Sequence, residues 1–393
     1  LNQDVFVERD HITPRDITYA FECPNFLRHV RLLLGKGANE PIFCYEVADI
    51  TRLNILDNWW DTLEITSLAG IEYFTGLKSL QAISWVLNTS TVDLTNNVNL
   101  EELVFAFPRI EVNTFVQNFN ESQVLVDLNL SNNTKLHTLL IEVSNLADLD
   151  LSNNRYLKNL TLQQTDITGL DLSNNHYLQG LNIISHQLAN LDLSNNPYLQ
   201  SLSISGFGRF QLILTDLDLS NNLYLRELSL WWTQLTGLDL SHNRYLETLD
   251  IISSQLTSIN LSNNRYLQSL DISDGFSTTV PLASIDLSGN RDLQNLRLSV
   301  TQITSLDLSN NRELRTVNLM SGGLTSLDLS NMQHLWEAWL SHNQLTTVNV
   351  SNSVNLNHLS VNNNRLQNHD SVIGWREIGL VLNQSFLFGT QRP

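Results

Sequence analysis

The sequence predicts a solenoid of short, stacked, leucine-rich coils, and three observations carry the prediction. A six-residue motif, LDLSNN or a close variant, recurs twelve times along the 393 residues. Eight of the eleven gaps between successive copies are 21 residues, two are 26 and one is 36. Within each unit the leucines return at fixed places, so every coil offers the same apolar edge to the next. A chain of this length would ordinarily divide into two or three globular domains, but a repeat array grows by stacking and shares one continuous core.

The unit 157–175, LKNLTLQQTDITGLDLSNN, shows how the coil is expected to form. Its apolar residues occupy positions 1, 4, 6, 11, 14 and 16. The pairs Leu160/Leu162 and Leu170/Leu172 alternate with period two, so both arms of the coil read as extended. Coils stacked at strand spacing, roughly 4.8 Å, would build parallel ladders over on the order of 60 Å. The fold class is therefore a leucine-rich-repeat solenoid, a curved right-handed coil of short parallel strands in about a dozen 21-residue repeats.

The fixed polar positions follow from the turn between arms. Position 17 is Ser or Thr in every unit, and position 19 is Asn in ten, from Asn97 to Asn311. A tight turn leaves backbone groups unpaired, and a short amide or hydroxyl bridges them from coil to coil. The Asp column at position 15 is read as serving the same turns. Position 21 carries Tyr156, Tyr177, Tyr198, Tyr224, Tyr245 and Tyr266 in six consecutive coils, an aromatic column expected to pack ring against ring.

Composition narrows the function. Apolar residues make up 42% of the chain, ample for a continuous core, and 22 basic against 40 acidic residues leave a net charge of −18. Such a surface repels nucleic acid and anionic membranes and favours basic partners. No run approaches the ~18 apolar residues of a membrane span, so no membrane insertion is expected. The two cysteines, Cys23 and Cys44, lie near the N-terminus and fit either one cap disulfide or two buried thiols. The chain opens at Leu1 without a basic-then-apolar leader, so a secretion signal is expected to have been removed or never to have existed.

These units resemble the 21-residue repeats of bacterial internalin-type surface proteins. In that family an N-terminal helical cap with an EF-hand-like loop leads into a segment like ITSLAGIEYFTGLKSL, which stands here at 65–80. PNFLRHVRLLL (24–34) resembles the cap helix, and 35–46 the loop. Of the loop's ligand positions only Asn39 and Glu46 carry usable oxygens, because Gly35 and Gly37 hold the first and third; Glu40 stands in the usual glycine place, and Ile42 keeps the hydrophobic one. The loop is thus expected to persist as a degenerate EF-hand without metal. After Leu366, NHDSVIGWREIGLVLN reads as a short amphipathic helix with Asp370 or Ser371 as N-cap, and SFLF (385–388) as a last strand. The expected division is an N-terminal cap at 1–62, the solenoid at 63–365 and a helix-plus-strand C-terminal cap at 366–393. The family's Asn at position 9 is mostly replaced, by Ser144, Thr165, His186, Thr233, Ser254 and Thr301, and survives only at Asn343 and Asn364.

A site is expected where the repeat stops repeating. Positions 4 and 6 of the strand arm point inward, leaving 3, 5 and 7 on the concave surface and 8 at the turn. Ile184, Trp231, Trp232 and Ile252 fall on that surface within four coils, with Met320 and Trp339 further along. Two five-residue insertions flank the first group, one presenting Phe207, Arg209 and Phe210 and the other Phe276, while Asp250, Asp271 and Glu227 add negative charge. Large apolar side chains on a Ser/Thr/Asn surface mark interaction sites, and inserted loops commonly carry function. The competing reading has the aromatics covering one another beneath the insertions. A fifteen-residue insertion within 103–128, FAFPRIEVNTFVQNFNES, offers a second surface.

Catalysis finds no support: there is no GxSxG, HExxH or phosphate loop. His334, His342 and His358 fall on neighbouring coils, but no Cys or carboxylate stands at matching positions to complete a metal site. No cofactor and no catalytic residue is expected. The residues point to a non-catalytic recognition protein, expected to be monomeric, that binds a protein through the concave aromatic patch. The alternatives are a carbohydrate-binding module stacking a surface glycan on its Trp faces, or a structural spacer. The resemblance implies a secreted or extracellular-surface setting and adhesion to a host protein or another cell-surface molecule.

Overall fold

The computed structural model describes residues 15–56, 65–83, 91–106, 125–142, 144, 146–185, 187–206, 212–252, 254–274 and 279–392. It forms two compact units, Leu1–Leu157 and Lys158–Pro393.

The first unit opens with two helices, Pro24–Leu33 and Cys44–Ala48. Its parallel sheet runs Arg52–Leu56, Ser79–Ile83, Glu102–Ala106, Thr138–Glu142, so the sheet begins upstream of residue 63. Leu53, Leu80, Leu103 and Leu139 stand in register across it and are buried. The fifteen-residue insertion leaves that register intact, since Leu103 pairs directly with Leu139 and, on the other arm, Val92 with Leu128. Its residues 107–124 lie outside the described residues.

In the second unit the strand arm is one parallel sheet. It starts at Asn159–Thr165, passes through Glu227–Trp231 and Thr248–Ile252, and ends at Phe386–Leu387. From Leu181 through Leu202, Leu228, Leu249, Leu270 and Leu296, position 4 pairs with position 4 in every step. The opposite arm is also extended where coils pair tightly, as in Gly237–Asp239 with Ser258–Asn260. The sheet's outward positions range from exposed to buried, with Ser205, Ser273, Ser299 and Ser341 at position 7 among the buried, and its inward leucines are almost wholly buried. Each such leucine contributes roughly 1.5–3 kcal/mol, so the repeated column outweighs any single polar contact.

The asparagine column solves the remaining problem, the backbone carbonyls trapped inside the turn. The side-chain amide reaches one coil back and donates twice, as at Asn133, Asn196, Asn264 and Asn311. Asn222 Nδ2 donates to Leu193 O at 3.1 Å and Asn196 O at 2.9 Å, and Asn243 Nδ2 to Leu219 O at 3.0 Å and Asn222 O at 2.9 Å. All ten of these asparagines are 0% exposed. In the last two coils Met332 and Ser353 stand in the column, and the Ser353 Oγ donates to Leu329 O at 2.6 Å and accepts from Met332 N. The Asp column closes the outer side of the turn, as at Asp192, whose Oδ1 accepts the Ser194 amide at 2.9 Å. That bond and the Ser194 hydroxyl hold the carboxyl below the usual carboxylate range. Tyr177, Tyr198, Tyr224, Tyr245 and Tyr266 stack at 6.2–6.4 Å between ring centroids, about half exposed for all but the last.

Two expectations at the caps need revision or resolution. The C-terminal segment contains no α-helix. Instead a 3-10 turn at His369–Ser371, N-capped by Asn368, leads into a two-residue strand, Val372–Ile373, that pairs with Val348 and Asn349. Gly374 and Gly379 then adopt φ of +87° and +81°, which an α-helix cannot contain, and a β-carbon at Gly374 would lie 2.6 Å from Ser351. The last strand forms as expected, Phe386–Leu387 covering His358–Ser360. Cys23 and Cys44 are thiols: Cys23 is the N-cap residue of the first helix and Cys44 begins the second.

Candidate recognition face

The outward positions of the second unit's sheet bring part of the predicted set together. Trp231 and Ile252 are register partners on adjacent strands, and Trp232 meets Trp231 edge to face, with centroids 6.0 Å apart at 85°. Ile184 stands on the same row two strands away, with Ser205 between. One row over, Asp250 and Asp271 are neighbours, and Arg297 follows Asp271. Trp231 Nε1 donates to Asp250 Oδ2 at 3.0 Å, which fixes the indole plane against the carboxylate. Trp339 lies four strand steps beyond Asp250, roughly 19 Å at strand spacing. It packs there against His358, with ring centroids 4.1 Å apart and planes tilted by 35°, and donates to Glu337 Oε2 at 3.3 Å. Met320 stands in the turn that follows the strand Thr316–Asn318, in that later part of the unit. Phe207, Arg209, Phe210 and Phe276 lie outside the described residues.

Position 8 has a conformation that spacing alone does not reveal. Gln164, Trp232, Val300, Ser321, His342 and Asn363 all have φ between 54° and 64°, the left-handed region. Asn and His suit such a turn; Trp and Val do not. Both bulky residues occur in the coil that follows an insertion, and both are gripped alike. Leu212 N donates to Trp232 O at 2.7 Å, and Val280 N to Val300 O at 2.9 Å, so each insertion rejoins the scaffold at a strained residue. Strain of about 1–3 kcal/mol per such residue persists only where the surroundings enforce it. Val300→Asn is therefore expected to raise stability by about 1 kcal/mol, read as a higher melting temperature.

The electrostatics of the face centre on the two aspartates. Burial pushes both carboxyls up from the usual range. For Asp250 the Trp231 N–H opposes the shift while Asp271 adds to it; for Asp271, Ser273 and Arg297 oppose it. Arg297 Nε lies 3.8 Å from Asp271 Oδ2 and donates to Ser299 Oγ at 3.1 Å, so it only partly neutralises the pair. Carboxyls raised in the folded state bind more protons there than when unfolded. Their presence costs stability as pH rises from the ordinary carboxylate range through the raised values. Asp271→Asn is expected to melt higher than wild type at neutral pH, with the gap closing as the pH is lowered through that window; a gap independent of pH would contradict the assignment.

Arg297 and Glu337 were not singled out by sequence. Their signal was the register itself, which places Arg297 directly after Asp271 and Glu337 beside His358. The three histidines do not converge: His334 Nε2 lies 3.7 Å from Glu313, His342 Nε2 lies 3.3 Å from Asn363, and His358 packs on Trp339. Among the described residues no group of three or more His, Cys, Asp or Glu is placed to hold a metal ion. Among them, too, no helix is long and apolar enough to cross a membrane. On the opposite arm a recess of about 290 Å³ is lined by Leu191, Asp192, Thr215, Asp216 and Asp218.

No sequence-family model and no curated protein matches the chain. Solved structures do. The functional domain of InlJ from Listeria monocytogenes superposes with a TM-score of 0.65 at 26% identity, covering 91% of this chain and 77% of that one. The internalin InlF of the same species gives 0.63 at 20%, covering 91% and 94%. Toll, from the Drosophila Toll–Spätzle complex, gives 0.58 at 18%, covering 82% of this chain and 45% of the other. The InlJ domain includes a cysteine ladder; here the repeated buried column is asparagine, and both cysteines precede the repeats.

Proposed function

We propose that this internalin-type leucine-rich-repeat protein recognises a protein partner through the sheet face of residues 158–393, with Trp231, Trp232 and Ile252 as the anchor. The observation that carries the reading is their contiguity on a face whose nearest positions are mostly Ser, Thr and Asn, beside the half-buried pair Asp250 and Asp271. Protein recognition is the role that the internalin-like scaffold suggests, and Toll, with the same type of fold, was solved in complex with the protein Spätzle. A rigid stacked scaffold loses little entropy on binding, so a few desolvated aromatics can dominate affinity. The flanking aspartates and the net charge of −18 favour a partner that rings an apolar knob with basic side chains. Ile184, Trp339, Met320 and the insertion residues Phe207, Arg209, Phe210 and Phe276 would extend the contact. The setting proposed with it is secreted or at the cell surface, and the role is binding without catalysis.

The test is a screen of the intact protein against an extracellular-protein library and a glycan array, beside a Trp231→Ala/Trp232→Ala variant of confirmed fold. The expected result is a protein ligand, lost by the variant and weakened by high salt. A glycan whose binding is salt-independent would move the reading to carbohydrate recognition, and a ligand retained by the variant would remove the patch from it.

A further inference from the structure

The cap loop at 35–46 has the outline of an EF-hand but not its ligands, and the structure shows what holds it instead. The first helix, Pro24–Leu33, ends in a Schellman turn: Lys36 N donates to Arg31 O at 2.8 Å and Gly35 N to Leu32 O at 3.1 Å, with Gly35 at φ +67°. This turn uses the loop's first position for backbone geometry and directs the second, Lys36, inward. The Lys36 ammonium donates to Pro41 O at 2.5 Å and to Glu46 Oε2 at 2.6 Å, and lies 5.4 Å from the centre of the Phe43 ring. Pro41 is the seventh residue of the loop and Glu46 the twelfth, the places from which an EF-hand supplies its backbone carbonyl and its anchoring carboxylate. Lys36 and Glu46 side chains are only 16% and 19% exposed. Glu46 Oε2 also accepts the Phe43 amide at 2.8 Å, which caps the second helix, Cys44–Ala48. Ile42, wholly buried, is tied by its carbonyl to Ile17 N and by its amide to Thr18 Oγ1, each at 2.8 Å.

A divalent ion does not fit these residues. Gly35 and Gly37 offer no side-chain oxygen at the first and third positions, Glu40 Oε2 is turned back onto Gly37 N at 2.6 Å, and a positive charge already sits between Pro41 O and Glu46 Oε2, which leaves only Asn39 of the side-chain ligand positions. We infer that the Lys36 ammonium is the loop's built-in cation, standing where an EF-hand would place calcium, and that the cap is thereby independent of metal. One side chain replaces the ion's two tasks here: neutralising Glu46 and tying the loop's middle to its end.

Amide hydrogen exchange across the loop tests this, using the whole chain with millimolar calcium or with a chelator. Wild-type exchange and melting temperature are expected to be identical in the two, and Lys36→Met, which keeps the stem and loses the charge, to exchange about tenfold faster or more in the loop. Calcium-dependent protection or a higher melting temperature in the wild type would overturn the inference, because it means that the loop takes the ion with Lys36 displaced. So would wild-type exchange in Lys36→Met. The wild-type comparison stands even if the variant does not fold.

Discussion

Asn222→Ala is expected to destabilise the protein by about 3 kcal/mol, while Asn221→Ala, one residue away, should stay within about 0.5 kcal/mol. The Asn222 amide is the partner of Leu193 O and Asn196 O in the preceding coil. Truncation removes one of the two hydrogen bonds that each carbonyl accepts, the other coming from the backbone N–H of Asn196 and of Leu199. Each lost bond costs roughly 0.5–1.5 kcal/mol, and the space left in a wholly buried turn adds to it. Asn221 is exposed and loses no such bond. Because the coils stack in one dimension, the damage is local first, and the coil interfaces on either side of Asn222 should open before the rest. Thermal melts should show a fall of roughly 6–12 °C for the first variant and almost none for the second.

Trp231→Ala is expected to weaken partner binding by at least about 2 kcal/mol, roughly thirtyfold. The indole supplies the apolar area, and its N–H also satisfies Asp250. Trp231→Phe keeps most of the area but leaves that carboxylate oxygen without the bond, so an intermediate loss is expected. Trp339→Ala should cost less than either, since Trp339 stands four strand steps from Asp250 against His358 rather than in the Trp231 cluster. Equilibrium titration of the three variants against the same captured partner reads the order directly.

The period, the inward leucines, the asparagine and tyrosine columns and the final strand were legible because each repeats, and a stacked coil gives a repeated residue one environment. What was hidden depends on places where the repeat is broken. Spacing put Ile184 near Trp231 but could not weigh the intervening Ser205, and it put Trp339 on the same face without its distance. The left-handed position 8 was masked by its mixed occupants, from Gln164 to Val300. The apolar pattern around Val372 and Trp375 suggested a helix, yet Gly374 and Gly379 bend the chain into turns whose positive φ no periodicity reports. In the cap, Lys36 occupies a position that supplies no ligand in an EF-hand, so its role emerged only from its contacts.

The central claim is that recognition occurs on the sheet face of the second unit. Hydrogen-exchange footprinting of the protein with its captured partner tests it most directly. Protection concentrated on Glu227–Trp231, Thr248–Ile252 and the Trp232 turn is the predicted result. Protection confined to the opposite arm, around Asp192 and Asp218, with those strands unchanged, would contradict it.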